Sequence, residues 1–319
     1  MASEFELIAR YFTRPVRHTV LGVGDDGAVL RPASGMDLVV STDMLVAGTH
    51  FLADADPEAL GWKALAVNLS DLAAMGAAPR WAVVAAALPS ADEAWIAAFA
   101  RGFFACAEAF DVDVVGGDTT RGPLNLAPTV FGEVPQGQAL TRAGGRAGDD
   151  LWLSGTPGLA ALGLAHRQGK VSLRDTAAAA CLAALDRPQP RVALGLALRG
   201  LATAAIDVSD GLLADIGHIL ERSALAADID FDRLPRAALA AGADIALARQ
   251  CLVAGGDDYE LAFSVPPDRR GAIEALSARL GLPLTRIGSL RAGPAGELIL
   301  RDAAGQPMPV GRRGFDHFA

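Results

Sequence analysis

The chain sets aspartates into five short polar segments, four of them beside glycine, between stretches that are otherwise apolar. They are GVGDDG (22–27), STD (41–43), GGDTTRG (116–122), DVSDG (207–211) and GGDDYE (255–260). A sixth aspartate, Asp71, interrupts an apolar helical stretch, ALAVNLSDLAAMGA (64–77). Glycine lets a chain turn tightly and lets a ligand approach the backbone. Aspartate beside it either turns the chain or binds a hard cation through oxygen. One such segment is a turn, but five predict loops that converge in space. Carboxylates gathered in one place raise one another's pKa unless cations neutralise them. The pattern therefore predicts a site for several Mg²⁺ ions and, through them, phosphates.

These segments punctuate an alternation of strand and helix. DLVVSTD (37–43) has the β-branched content of a strand, and residues 58–76 form a helix entered after Pro57 and stopped by Gly76. RWAVVAAALP is a strand, 92–110 a helix with aromatics at helical spacing, and DVDVV (111–115) a strand returning into GGDTTRG. LNLAPTVFGEV (124–134) is another strand. The Gly-rich, polar stretch PQGQALTRAGGRAGDD (135–150) is the candidate domain junction. Beyond it, helices are expected across 158–169, 174–185, 190–200, 211–222 and 269–280, with strands at DLWLSG, before DVSDG, and near 227–232, 259–265 and 284–290. Neither half repeats at a period of 20–50 residues. The predicted fold is α/β, two mixed domains (1–138 and 139–319) whose sheets carry helices on one face.

Of 319 residues 51% are hydrophobic and 20% charged, which predicts a full core and excludes disorder. A formal net charge of −9 argues against a nucleic-acid partner, which needs a basic stripe. It does not argue against a nucleotide, because divalent cations bridge carboxylates and phosphates. Cys106, Cys181 and Cys251 are far apart, fit no metal or redox spacing, and read as reduced buried residues. The start, MASEFELIARYFTRP, lacks the apolar core of a signal peptide. WAVVAAAL (81–88) and AAAACLAAL (177–185) are far short of a membrane span, so a soluble cytoplasmic protein is expected.

Two nucleotide motifs fail on inspection. GVGDDG matches the spacing of a dinucleotide fingerprint, but Pro32 follows too soon for the helix it must open, and Asp25 and Asp26 sit where a pyrophosphate needs bare N–H groups. GLAHRQGKV (163–171) is one residue too long for a P-loop and puts Val171 where Mg²⁺ needs a hydroxyl. The remaining segments each have two readings. Ser41, Thr42 and Asp43 either ligate Mg²⁺ or cap a turn. Asn68 and Asp71, three apart, share one helix face, and an ionised Asp71 among Ala, Leu, Val and Met needs a metal or an ion partner. In GGDTTRG the glycines admit a phosphate and Asp118 its metal, or the segment is a surface turn. Arg121 and Arg142 are candidate phosphate clamps or surface charges. DVSDG puts Asp207 and Asp210 around Ser209 at a strand-to-helix passage, where N–H groups accept anions or Ser209 and Asp210 merely cap. His50 earns no role from spacing alone.

Taken in order, EFELIARYF, GVGDDGAVL, STDMLVAGTHF, KALAVNLSDLAAMGA, GGDTTRG, LTRAG, AIDVSDGL, GGDDYEL and GFDHF closely resemble the thiamine-monophosphate kinase family, from residue 4 to 318. That family belongs to the superfamily of aminoimidazole ribonucleotide synthetase and selenophosphate synthetase. The resemblance implies two α/β domains, the N-terminal one binding ATP and Mg²⁺ and pairing its sheet across a homodimer. It implies ATP-dependent phosphorylation of thiamine monophosphate to thiamine diphosphate. By motif, it puts metal ligands at Asp26, Ser41, Thr42, Asp43, Asp71, Asp118, Asp207 and Asp210. It puts ATP contacts at Gly117, Asp118, Arg142 and Ser209, and substrate contacts at His50, Asp257 and Phe315. The family usually carries Glu where this chain has Asp257, one methylene shorter, and often Tyr or Trp where it has Phe315. No general base stands out, in keeping with a phosphate nucleophile that needs none. The alternatives are another ATP-dependent synthetase of the superfamily and a non-catalytic nucleotide-binding assembly protein.

Overall fold

The computed structural model describes residues 4–315. The chain divides into two compact units, one of residues up to 72 with 77–137, the other of 73–76 with 138 onward. Each is a sheet with helices, so the α/β class holds.

The first unit opens with α1 (Glu4–Leu7), which widens into a π-helical turn over Ile8–Phe12. Strands β1 (Thr19–Leu21) and β2 (Val29–Leu30) then pair antiparallel around GVGDDG. Strands β3 (Met36–Thr42) and β4 (Leu45–Val46) are followed by α2 (Pro57–Ala74), β5 (Ala78–Leu88), α3 (Glu93–Ala109), β6 (Asp113–Arg121) and β7 (Asn125–Pro135). The sheet runs β3-β7-β5-β6, with β4 also on β7. Only β5 and β6 are parallel, and α3 supplies the crossover that a parallel pair requires. Asp92 starts α3 by accepting the N–H groups of Ala94 and Trp95. The core gathers Leu65, Leu69, Leu72, Trp81, Phe99, Phe103, Leu126 and Val130, all nearly inaccessible. Helices α2 and α3 cross glycine to glycine. A Cβ at Gly102 would lie 1.8 Å from the Glu58 carbonyl, and one at Gly61 2.1 Å from that of Phe99. No other residue lets the two backbones approach so closely.

GGDTTRG departs from its expected loop, because β6 runs through it to Arg121, paired with β5 as far as Leu88. Gly117 serves that pairing, since a Cβ there would sit 2.1 Å from the Val84 carbonyl of the neighbouring strand.

The second unit contains β8 (Asp150–Ser154), α4 (Leu159–Arg167), α5 (Asp175–Asp186), α6 (Val192–Leu198), β9 (Ala204–Val208) and α7 (Leu212–Ser223). It continues with β10 (Ala226–Asp230), α8 (Ala237–Ala240), α9 (Ile245–Ala254), β11 (Glu260–Val265), α10 (Arg270–Leu280), β12 (Leu284–Arg291) and β13 (Leu298–Arg301). Its sheet runs β13-β10-β12-β8-β11-β9. Strands β8, β9 and β11 are buried along their whole length, so both faces of each are covered. Leu151, Leu153, Ile206, Val208, Leu213, Ile216 and Leu252 belong to one core. Helix α9 was not legible as hydrophobic periodicity, but Asp244 caps it through the N–H groups of Ala246 and Leu247. Cys106, Cys181 and Cys251 are buried, and none forms a disulfide. No helix among the described residues is long and apolar enough to cross a membrane.

Candidate functional site

In the first unit, helix α2 holds the end of β3. The Ser41 hydroxyl donates to Asp71 Oδ2 at 2.5 Å, and the Asp43 N–H donates to Asn68 Oδ1 at 2.9 Å. Asn68 is fully buried and returns its Nδ2 to the Ala64 carbonyl at 3.0 Å, within its own helix. Two polar residues on one helix face thus receive the Ser41–Asp43 segment, a reason for Asp71 to interrupt an apolar run. The pleat turns Thr42 the other way, where its hydroxyl donates to the Pro128 carbonyl at 2.9 Å and accepts from Thr129 at 3.0 Å. Asp118 lies in register with Ala85, itself opposite Ala127, and so shares the Thr42–Thr129 face. Asp26 is exposed in the β1–β2 loop, its N–H on the Asp25 carboxylate at 2.9 Å. His50 Nδ1 accepts the Val46 N–H at 3.0 Å, which puts any proton of the neutral ring on Nε2.

The second unit brings three of the predicted segments together through backbone. Past the end of β9 the carbonyls of Val208, Ser209 and Asp210 accept the N–H groups of Tyr259, Asp257 and Phe315, each at 2.8 Å. Ser209, Asp210, Asp257 and Phe315 therefore lie side by side. Phe315 is 47% exposed, with the Arg312 guanidinium 5.5 Å from its ring centre. Residues 316–318 of GFDHF lie outside the described residues. Asp207 is buried as the penultimate residue of β9. Arg142 is placed differently. Its neighbour Thr141 accepts the Ala205 N–H at 3.0 Å, near the start of β9, about 13 Å of extended chain before Ser209.

The N–H groups of the turn that leads into α7 are taken by an acid from the first turn of that helix. Asp215 Oδ2 accepts those of Ser209, Asp210 and Gly211 at 3.0, 3.1 and 3.1 Å. Burial pushes the Asp215 carboxyl up to about 6, against the pull of these donors. Asp215 went unread in the sequence, although an acid on the first turn of a helix after DVSDG is a legible signal.

The acids of GGDDYE divide by direction. Asp257 gives its N–H to the Ser209 carbonyl, and its carboxylate accepts the Tyr259 hydroxyl at 3.0 Å. Both residues hold left-handed backbone, with φ of 69° and 50°, a conformation costly for non-glycine residues that recurs at functional sites. Asp258 points inward and accepts the Gly158 N–H with both oxygens, at 2.8 and 2.9 Å, at the start of α4. Burial raises it well above the usual carboxylate range, against that bond. Glu260 is buried too, gripped by Arg191 at 2.6 and 2.5 Å and by the Ser154 hydroxyl at 2.5 Å. Asp258 and Glu260 thus hold the loop in place, while Asp257 meets the Tyr259 hydroxyl.

The eight residues predicted to bind metal offer only carboxylate and hydroxyl oxygen, a donor set that suits Mg²⁺ rather than a thiophilic ion. Among the described residues, no three Asp, Glu, His or Cys side chains meet in one place to hold an ion. A cleft of about 370 Å³ in the second unit, lined by Phe231, Arg236, Ile245, Arg249 and Met308 among others, contains none of the predicted site residues.

Residues 24–134 match the family model of the AIR synthase related protein N-terminal domain, and 146–301 that of the C-terminal domain. The fold is thus that of AIR synthase related proteins. Thiamine-monophosphate kinase of Escherichia coli (strain K12) is 47% identical over 322 residues, spanning 99% of this chain and 98% of its own. The crystal structure of thiamine-monophosphate kinase from Stenotrophomonas maltophilia K279a is 46% identical with a TM-score of 0.84, covering 95% of each chain. The structure of AaThiL complexed with AMPPCP and TMP is 29% identical with a TM-score of 0.78, covering 93% of this chain and 92% of its own. The chain belongs to the thiamine-monophosphate kinase family, whose members are phosphotransferases.

Proposed function

We propose that this chain transfers the γ-phosphoryl group of ATP to thiamine monophosphate, forming thiamine diphosphate and ADP in the cytoplasm. The observation that carries the reading is the meeting of Ser209, Asp210, Asp257 and Phe315 in one unit of a chain 47% identical to a kinase of that name. The acceptor is itself a phosphate monoester, whose second pKa near 6 leaves it largely dianionic at pH 7. It needs no general base, and none is assigned. The obstacle is repulsion between two anions, and in-line displacement between them depends on positioning and charge stabilisation.

In this reading Asp257 orients the thiamine portion, whose thiazolium is a permanent cation, and Phe315 covers an aromatic face. His50 offers a second substrate contact. Gly117, Asp118, Arg142 and Ser209 contact ATP. Asp26, Ser41, Thr42, Asp43, Asp71, Asp118, Asp207 and Asp210 would hold Mg²⁺, which supplies charge neutralisation and alignment of phosphate oxygens when bound. Residues 1–138 act as the ATP- and Mg²⁺-binding and dimerisation domain and 139–319 as its C-terminal partner. The homodimer reading draws support from β3, an edge strand whose Leu38 and Val40 are 42% and 52% exposed. ADP release is to be measured with and without thiamine monophosphate, and the thiamine product separated by chromatography. ATP consumption without thiamine diphosphate sinks the assignment.

A further inference from the structure

The turn between β9 and α7 makes a complete set of backbone bonds in two directions. Its N–H groups at residues 209–211 all go to one carboxylate oxygen of Asp215. Its carbonyls at 208–210 all go outward, to the N–H groups of Tyr259, Asp257 and Phe315. The two sets alternate along the same three peptides, so the direction of each carbonyl depends on where its neighbouring N–H is held. Contact with the two flanking chains is tight. A Cβ at Gly256 would lie 2.7 Å from the Ser209 carbonyl oxygen, and one at Gly314 2.9 Å from that of Asp210. Asp215 itself is only 3% exposed and sits on α7, whose Leu212, Leu213, Ile216 and Ile219 are part of the core. It therefore has a rigid footing from which to hold the turn.

We infer that Asp215 is a positioning residue, which fixes the Ser209–Gly211 turn and through its carbonyls keys the Asp257 and Phe315 segments to it. It touches no ligand. Its oxygen is needed as an acceptor at one place, and its charge is secondary. The kinetic consequence rests on the proposed kinase reading: losing the anchor misplaces Ser209, Asp210, Asp257 and Phe315 together. Misplacements on the scale of 1 Å cost on the order of a hundredfold in rate.

Three variants separate this role from the others. Asp215→Asn keeps an oxygen acceptor in place without charge, Asp215→Glu keeps the charge but moves the oxygen by a methylene, and Asp215→Ala removes both. Amide hydrogen exchange is read at 209–211 and at Asp257, Tyr259 and Phe315, alongside kcat and KM for each substrate at several Mg²⁺ concentrations. The expected result is that exchange rises by about tenfold or more at both sets of amides in the Glu and Ala variants, with α10 unchanged. The fall in kcat/KM for thiamine monophosphate is expected to be of similar size. Asp215→Asn retains most of the protection and most of the activity. The inference is overturned if exchange rises at 209–211 while Asp257, Tyr259 and Phe315 stay protected. It is equally overturned if Glu is tolerated and Asn is as poor as Ala with a raised Mg²⁺ requirement, since that pattern marks a charge acting on metal. Should Asp215→Ala not fold, the Asn and Glu pair decides alone. Exchange needs no turnover, so a wild-type chain inactive on thiamine monophosphate refutes the kinase reading and leaves this test intact.

Discussion

Replacing Gly256 by alanine tests whether the candidate substrate loop is held by its contact with the β9–α7 turn. A Cβ at this position falls 2.7 Å from the Ser209 carbonyl oxygen, a backbone atom that cannot rotate away. Relief to an ordinary contact near 3.4 Å needs a shift of about 0.7 Å. The Asp257 N–H bonds the same oxygen at 2.8 Å, so that shift carries the bond to about 3.5 Å, its outer limit. Losing one backbone bond costs about 1 kcal/mol, and residual overpacking raises the total to about 1–3 kcal/mol. For a unit of this size the melting temperature falls by roughly 2–4 °C per kcal/mol. The fold survives, but Asp257 moves with the loop. kcat/KM for thiamine monophosphate is expected to drop on the order of tenfold or more, mostly through KM, with a smaller change for ATP. Gly217→Ala is the matched control. Gly217 lies inside α7 with nothing within 4 Å of its would-be Cβ, so alanine there gains about 0.5–1 kcal/mol of helix propensity without kinetic change. Thermal melts and steady-state kinetics with each substrate varied in turn give both readouts. A folded Gly256→Ala enzyme with unaltered KM for thiamine monophosphate refutes the reasoning.

Asp71→Asn keeps the side chain's shape beside Ser41 and removes its charge. Turnover should fall by at least about tenfold, a loss of ~1.4 kcal/mol in the transition state, while circular dichroism is unchanged; near-normal turnover removes Asp71 from the site. Asp113 is buried, which raises its pKa, but the N–H groups of Arg17 and His18 and the Thr19 hydroxyl more than offset this and hold it below 3.8. Because the folded value is depressed, its stabilisation is present above 3.8 and lost as pH falls through the folded value. Asp113→Asn should therefore lower stability by about 2 kcal/mol at pH 7, with the gap to wild type narrowing below pH 4; a gap that widens in acid contradicts the assignment. Val40→Glu puts a charge on the exposed apolar edge strand β3 and should weaken a homodimer. Light scattering that finds the same mass for both chains at micromolar concentration argues against that interface.

Much of the fold was legible because its strands and helices bury one face at the period of their own geometry. DLVVSTD, the helix around Asp71, and the DVSDG passage from β9 into α7 all stand where their residues put them. The acidic segments were visible too, since aspartate beside glycine is a local composition. The extension of β6 through GGDTTRG was not, because whether Gly-Gly turns or pairs depends on the strand beside it. Nor could the sequence rank the acids of GGDDYE. Asp257, Asp258 and Glu260 have the same chemistry and differ only in what surrounds them: a turn with a hydroxyl donor, the start of α4, and the Arg191 guanidinium. The sequence by itself therefore determined most element types and the two-part α/β plan, and it pointed to an oxygen-rich, phosphate-directed chemistry. Tertiary structure decided which carboxylates are consumed by backbone N–H groups, as Asp215 is. The physical reason is that a buried carboxylate must find donors, and the donors come from chain distant in sequence, brought near only by packing.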